Sequence, residues 1–291
     1  MIGAILQNKN LVAATGWMLL GLLSFLGLMV SVRELSSRLS LFEMLTLRSV
    51  VAFCALILFI TIYGKPVFTF KRFKLHLARN IFHFFGQYCW ASGVILLPLA
   101  EVIAIEFTTP IWAVLLAALY LNERLTGARL LALAVGFVGV CIIIRPGFES
   151  IEWGSVMVLL ATFGFAFTML FSKKLTSTDS VWTILMYMAV IQFFIGLGPT
   201  IYYWQWPVGI DYFWITVIGL SGLLAHLGLT KALSLADTAT ILPLDYLRLP
   251  LTLAIGYFFY QETGDWWVLL GASIIFAANY YHLSQESRRR I

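Results

Sequence analysis

Residues 97–125 read LPLAEVIAIEFTTPIWAVLLAALYLNERL, and this stretch decides the fold. Between Val102 and Leu121 it contains a single charged side chain, Glu106, and a single proline, Pro110. An apolar run of about 20 residues is long enough to cross the hydrocarbon core of a bilayer as a helix. Lipid offers no hydrogen-bond partners to the backbone, so a segment of this kind must be helical. The stretch therefore predicts a transmembrane helix.

The rest of the chain repeats this composition. Of its 291 residues 61% are apolar and only 11% are charged, with a mean hydropathy of +0.91, whereas a soluble domain has about 25% charged residues. The basic residues lie in short runs between apolar blocks, which excludes a nucleic-acid binder despite the net charge of +5. The sequence predicts an all-α polytopic membrane protein with ten transmembrane helices, at about residues 11–30, 43–63, 79–97, 101–121, 128–145, 153–172, 180–202, 212–232, 238–260 and 266–283.

The lysines and arginines predict the orientation. With the N-terminus inside, 14 of the 19 basic residues fall in cytoplasmic segments, among them Lys71 and Arg79, and 3 fall in outer loops. The remaining two, Arg48 and Arg248, lie within spans. Such a bias follows the positive-inside rule. It predicts that both termini are cytoplasmic and that the protein lies in a bacterial-type inner membrane.

An internal repeat supports the ten spans. Residues 33–37 (RELSS) match residues 173–177 (KKLTS), and residues 97–101 (LPLAE) match residues 233–237 (LSLAD). Pro110 and Pro250 are 140 residues apart, and the glutamates at 123 and 262 are 139 apart. The two copies, 1–148 and 149–291, each contain five spans and together form one membrane domain. Because five is odd, the second copy enters the membrane from the opposite side, as in many secondary transporters.

The strings LPLAEVIAIEFTTPIWAVLLAALYLNERL and LSLADTATILPLDYLRLPLTLAIGYFFYQE resemble the two copies of the EamA domain of the drug/metabolite transporter superfamily. The glycine-rich stretch GARLLALAVGFVGVCIIIRPG is similar to the span that follows in that family. The resemblance covers essentially the whole chain and implies a ten-helix inner-membrane carrier with a central cavity. It does not imply a substrate, since related carriers move amino acids, nucleosides, S-adenosylmethionine, riboflavin and drugs.

The third span carries a polar stripe. His76, Asn80, His83 and Gln87 share one helical face, which must turn toward protein or a water-filled cavity. Two interpretations remain open: hydrogen bonds between helices, or contact with a substrate. Tyr88 and Trp90 flank the stripe and could stack on a planar ligand.

Charged residues in three other spans are candidates for binding or gating. The fourth span has Glu106, and Pro110 there removes the backbone hydrogen bond to the Glu106 carbonyl, which could then line the cavity. The ninth has Asp245, Tyr246, Arg248 and Pro250, and Asp245 could pair with Arg248, either as a neutral structural pair or as a patch for a zwitterionic substrate. Arg48 could snorkel to the interface, pair with Glu43 or Glu106, or hold a substrate carboxylate. His226, in the eighth span, suits helix packing and ligand contact equally well.

These features predict a secondary transporter that moves a small organic metabolite by alternating access. The alternative is an intramembrane enzyme acting on a lipid-soluble substrate, but the sequence lacks the common zinc-binding and nucleophile motifs. No Walker A motif is present, which excludes an ATP-driven pump on this chain. We expect no cofactor and no metal. The expected partners are the lipid bilayer and the substrate, with protons as a candidate coupling ion; a monomer suffices, although a dimer is also compatible.

Overall fold

The regular secondary structure is helical. A computed structural model of the chain describes residues 9–64, 72–121, 127–145, 152–236 and 241–288, and these residues contain no strand, which confirms the all-α prediction. The helices are α1 (Lys9–Leu35), α2 (Leu41–Tyr63), α3 (Phe73–Leu96), α4 (Leu99–Glu106), α5 (Thr109–Leu121), α6 (Gly127–Ile144), α7 (Trp153–Leu175), α8 (Val181–Tyr202), α9 (Asp211–Leu235), α10 (Arg248–Tyr260) and α11 (Trp266–Arg288), with a 3₁₀ helix at Leu242–Leu247.

Several helices are long and apolar enough to cross a bilayer. Within the described residues six segments meet both criteria, at Asn10–Leu35, Leu41–Tyr63, Leu99–Tyr120, Trp153–Leu175, Val181–Tyr202 and Asp211–Leu235. Shorter apolar helices lie at Leu130–Ile144 and Trp266–Tyr281. Large apolar side chains such as Leu58, Phe137 and Phe194 are exposed on helix surfaces. Helices that are apolar on their outer faces as well as toward the protein belong in a membrane.

The fourth predicted span is not one continuous helix. It divides at Phe107 and Thr108 into α4 and α5, just before Pro110. Proline has no backbone N–H and its ring clashes with the preceding turn, so a helix breaks or kinks there. The ninth predicted span divides in the same way, because the 3₁₀ helix Leu242–Leu247 precedes α10 and Pro250 lies in the first turn of α10. The prediction of a continuous helix was therefore wrong at both sites.

Two connections 140 residues apart have the same local structure. The hydroxyl of Ser36 donates to the carbonyl of Arg33 at the end of α1, and the hydroxyl of Thr176 donates to that of Lys173 at the end of α7. Ser40 then caps α2 (φ −69°, ψ 153°) and Ser180 caps α8 (φ −69°, ψ 154°). Each capping hydroxyl accepts a hydrogen bond from the backbone N–H three residues on. The sequence match at these positions is thus also a match in backbone geometry.

The chain divides into two compact units, and the first consists of Met1–Phe84 and Phe171–Asp245. In this unit α1 packs on α9, and α2 packs on α8 and α9. Close approach of α1 and α9 depends on glycine, because a Cβ atom on Gly228 would lie 2.6 Å from the carbonyl oxygen of Trp17. Small residues of this kind let membrane helices pack closely.

The second unit consists of Phe85–Leu170 and Tyr246–Ile291. Here α6 packs on α11, and α4 packs on α10 and α11. A Cβ atom on Gly271 would lie 2.6 Å from the carbonyl oxygen of Gly139, so this contact also requires glycine. Each unit combines segments from both halves of the chain, which means that the predicted copies 1–148 and 149–291 do not coincide with the packing units.

Candidate functional site

Five polar side chains meet in the interior of the first unit, and together we call them the amide cluster: Arg48, Arg79, Asn80, His83 and Gln192. Gln192, on α8, is the central member. Its Oε1 accepts a hydrogen bond from Arg48 Nη2 at 2.8 Å. Its Nε2 lies 2.8 Å from His83 Nδ1 and 3.5 Å from Asn80 Oδ1. Gln192 therefore links α2 to α3.

The donors and acceptors in this network fix the state of the imidazole. A guanidinium can only donate, so the amide oxygen of Gln192 must face Arg48 and its NH₂ group must face His83. His83 Nδ1 then accepts, and a neutral imidazole in this position has its proton on Nε2. That N–H is available for a further contact in the unit, where the ring of His226 lies 5.3 Å from the ring of His83.

Arg79 forms the other end of the amide cluster. Its Nη1 donates to Asn80 Oδ1 at 3.1 Å and its Nε donates to Ser172 Oγ at 2.9 Å. Sequence analysis counted Arg79 among the cytoplasmic loop cations, but it lies in α3 and is only 4% exposed. Arg48 is similarly buried, at 5% exposed, which contradicts the interpretation that it snorkels to the interface.

The predicted polar stripe on α3 is buried over its whole length. His76, Asn80, His83 and Gln87 are all classed among the buried residues. His76 stacks on Tyr187 with ring centroids 4.0 Å apart, and its Nε2 lies 3.6 Å from Asp179 Oδ1. The stripe therefore faces protein, as membrane helices require of polar faces.

A second polar group lies in the second unit, and we call it the carboxylate cluster: Trp90, Glu106 and Arg248. Glu106 Oε1 accepts a hydrogen bond from Arg248 Nη1 at 2.9 Å. Glu106 Oε2 accepts another from the indole Nε1 of Trp90 at 2.8 Å. Both carboxylate oxygens are thus satisfied in a buried position, and the charge of Arg248 has a direct counter-ion.

Aromatic rings surround this ion pair. The guanidinium carbon of Arg248 lies 5.4 Å from the centroid of the Phe107 ring, within the range of a cation–π contact. Tyr246 packs edge-on against Phe107 at 4.8 Å and against Phe276 at 4.4 Å. The cluster combines both signs of charge with flat apolar surfaces.

Side chains bond the carbonyls at the break between α4 and α5. Sequence analysis expected the Glu106 carbonyl to be free to line a cavity, but the hydroxyl of Thr109 donates to it at 2.7 Å. Thr108 donates to the Ile105 carbonyl at 2.7 Å, and Asn279 Nδ2 donates to the Phe107 carbonyl at 2.9 Å. These bonds hold the break in one defined geometry and fix the position of Glu106 beside it.

The glutamate that follows α10 has a structural partner. Glu262 Oε2 accepts a hydrogen bond from the backbone N–H of Leu99 at 2.8 Å. Leu99 begins α4, so the carboxylate caps the positive end of that helix. The prediction of a local partner for this residue is therefore explained by α4. The matching glutamate at 123 lies outside the described residues, as does the loop around Lys71.

The sequence profile of the EamA-like transporter family matches residues 13–145 and again residues 152–282. These two matches cover most of the chain. The protein belongs to the EamA-like transporter family. It is a multi-pass membrane protein of a transporter family and not an enzyme, and the EamA domain occurs in it twice.

Relatives within this family are named for their substrates. An S-adenosylmethionine uptake transporter of Rickettsia felis is 29% identical over 280 residues, which cover 96% of this chain and 95% of the relative. A riboflavin transporter of Rhizobium johnstonii is 31% identical over 215 residues, covering 74% and 71% of the two chains. A riboflavin transporter of Vibrio cholerae is 31% identical over 210 residues, covering 70% of each.

A solved crystal structure has the same fold. It matches with a TM-score of 0.64 and 16% identity over 96% of this chain and 98% of its own. At that identity the likeness concerns the arrangement of helices and not the substrate.

Several members of the two clusters were not among the residues singled out from the sequence. These are Arg79, Ser172 and Gln192 in the first unit, and Phe107, Phe276 and Asn279 in the second. Gln192 and Asn279 are amides within apolar helices, and this is a signal that could have identified them. Of the residues that were singled out, Tyr88, His226, Asp245 and Tyr246 are half-buried, whereas Pro110 and Pro250 are exposed.

Proposed function

We propose that this EamA transporter moves a small organic metabolite across the bacterial inner membrane by alternating access. The proposed topology has ten spans in two inverted copies, 1–148 and 149–291, with both termini in the cytoplasm. The double family match and the repeated turns 140 residues apart support this arrangement. A monomer contains both copies, so the proposal requires no dimer.

The observation that carries the substrate class is the buried Glu106–Arg248 pair with its aromatic surroundings. An α-amino-acid group could exchange with this pair, with its ammonium on Glu106 and its carboxylate on Arg248, so that every charge stays matched. The rings of Trp90, Phe107 and Tyr246 offer faces and edges to a flat heterocycle. S-adenosylmethionine has both features and riboflavin has the second, and relatives are named for both.

Uptake into proteoliposomes tests this function. We expect saturable uptake of labelled S-adenosylmethionine or riboflavin by the purified chain, with the solute recovered chemically unchanged inside. The double variant Glu106→Gln/Arg248→Gln should lose that uptake. A matched control is Arg145→Gln/Asp265→Asn, which removes another ion pair of the second unit (2.6 Å) and should retain uptake. Absence of uptake of both solutes would refute the substrate class, and uptake by the Glu106/Arg248 variant would refute the site.

Topology is tested by cysteine labelling. In a chain whose cysteines at 54, 89 and 141 are replaced by alanine, Ile210→Cys should react with a membrane-impermeant maleimide in intact cells, since the loop around Gly209 is proposed to be external. Arg72→Cys should react only after permeabilisation. Labelling of position 72 from outside would refute the ten-span topology.

Protons are the proposed coupling ion, and an imposed pH gradient tests this. Proteoliposomes with an acidic exterior should take up substrate against its gradient. Equal rates of counterflow with and without the pH gradient would favour facilitated exchange instead.

A further inference from the structure

The amide cluster contains two permanent cations and, among its five members, no carboxylate. Arg79 donates to Asn80 and Ser172, which are both uncharged. Arg48 donates to the uncharged amide of Gln192. Neither His83 nor Asn80 contributes a negative charge. The network therefore concentrates positive charge within the first unit.

Such a concentration is expensive in a membrane protein. A charged side chain in the middle of a transmembrane helix is unfavourable unless it is paired or reaches water. Neutral amide oxygens stabilise a guanidinium much less than an oxyanion does, because charge-assisted hydrogen bonds are about twice as strong as neutral ones. In the second unit the chain itself supplies a carboxylate to Arg248. In the amide cluster the acceptor at the corresponding place is the amide of Gln192.

We propose that the amide cluster is a binding subsite for an oxyanion, a carboxylate or phosphate carried by the transported solute. The oxygens of Gln192 and Asn80 occupy the positions that the oxygens of the anion would take against Arg48 and Arg79. When an anion binds, it displaces these two amides and accepts from both guanidiniums. His83, whose Nε2–H is left free by its bond to Gln192, supplies a further donor at the same place.

This inference rests on the proposed transport function and adds a property of the substrate. The exchange at Glu106 and Arg248 alone would accept a zwitterion or a neutral heterocycle. An oxyanion subsite in the first unit requires in addition that the solute has an acidic group, which favours solutes such as amino-acid derivatives and phosphate esters over neutral vitamins.

The variant Gln192→Glu tests the proposal without any ligand. It has the shape of the native side chain but places a carboxylate against Arg48, so it supplies the missing anion from within the chain. We expect the ligand-free variant in detergent micelles to have a higher melting temperature than the native chain. Arg48→Gln, which removes one cation, should melt no lower than the native chain. A lower melting temperature for both variants would mean that the cluster is only a packing network, and would overturn the proposal.

Small anions test the subsite directly. Sodium phosphate and sodium acetate are compared with sodium chloride at equal ionic strength, in detergent without added lipid, so that a free anion is the only source of oxyanion. We expect at least one of them to raise the melting temperature of the native chain, with an apparent affinity about tenfold or more above that for Gln192→Glu. Phosphate without acetate would identify a phosphate subsite, and the reverse a carboxylate subsite.

The control variant is Lys173→Gln, which removes an exposed cation from α7. General salt effects stabilise all variants alike, so they cannot distinguish Lys173→Gln from Gln192→Glu. Equal stabilisation of all three chains, or of none, would overturn the proposal. The outcome is separate from that of the transport assay: a chain that takes up solute but shows no oxyanion effect loses only the subsite, whereas oxyanion binding without uptake refutes the transport function.

Discussion

The amide cluster and the carboxylate cluster both bury arginine, but they balance its charge differently. Arg248 lies 2.9 Å from Glu106, so the carboxylate cluster is formally neutral. Arg79 in the amide cluster donates to Asn80 and Ser172, and both acceptors are uncharged. Coulomb interactions are strong in a medium of low dielectric constant, so this difference in acceptor matters more here than it would at a wet surface. The comparison teaches that burial alone does not define the role of an arginine; the charge of its acceptor does.

Breaking the ion pair has the largest expected effect. Glu106→Gln leaves Arg248 buried without its carboxylate, and loss of one partner of a buried pair costs about 3–5 kcal/mol. We expect a decrease of this size in the free energy of unfolding, measured by denaturant titration in detergent micelles. The amide cluster should respond in the opposite direction to the loss of a charge, as described for Arg48→Gln.

The control for this prediction neutralises both partners. Glu106→Gln/Arg248→Gln leaves no uncompensated charge, and we expect it to recover most of the lost stability. If the single variant unfolds at the same denaturant concentration as the native chain, Glu106 does not balance Arg248 and the contrast between the two clusters fails.

A second, smaller effect is expected for the indole of Trp90. Trp90→Phe keeps an aromatic ring but removes the N–H that donates to Glu106 Oε2 at 2.8 Å. Hydrogen bonds to charged groups contribute about 1.5–3 kcal/mol, and we expect a loss in that range by the same titration. Trp112→Phe is the control, since Trp112 packs edge-on against Phe163 in the same unit. A larger loss for Trp112→Phe would attribute the effect to ring packing.

The corresponding change in the amide cluster should cost less. Ser172→Ala removes the hydroxyl that accepts from Arg79 Nε, and because Ser172 is half-buried, water can replace it. We expect a loss of about 0.5–1.5 kcal/mol in the free energy of unfolding. Ser273→Ala, at an exposed serine of α11, should be neutral. A loss as great as that for Trp90→Phe would show that Arg79 depends on its hydroxyl acceptor as strongly as Glu106 depends on its donors.

The smallest effect on stability is expected at the helix breaks. Pro110→Ala and Pro250→Ala should change the free energy of unfolding by no more than about 1 kcal/mol, because alanine tolerates both backbones. We expect each variant to transport more slowly, since the break positions Glu106 in one case and Arg248 in the other. Initial rates of uptake measure this. Pro199→Ala, within the continuous helix α8, is the control and should transport at the native rate. Native rates in all three variants would contradict a role for the breaks.

Much of the fold could be predicted because it depends on local sequence. Runs of about 20 apolar residues specify transmembrane helices by length alone. The serines at 40 and 180 cap α2 and α8 through hydrogen bonds that span three residues, so the repeat in sequence becomes a repeat in structure. The breaks before Pro110 and Pro250 were also encoded locally, in the missing N–H of proline, although sequence analysis treated both spans as continuous.

The candidate site could be predicted only in part. The stripe on α3 identified Asn80 and His83 because polar residues at helical spacing stand out in an apolar segment. Their partner Gln192 is 109 residues away from His83 in sequence, and nothing local indicates that it lies beside them. The same is true of Glu106 and Arg248, which are 142 residues apart.

The sequence by itself therefore determined the class of structure, the repeat and the family, because each of these depends on composition, period or local hydrogen bonding. Only the tertiary structure decided which buried charge meets which acceptor. A helix fixes the face on which a side chain lies, but the partner on that face is set by how helices distant in sequence pack. For Arg248 that partner is the carboxylate of Glu106, and for Arg48 it includes the amide of Gln192.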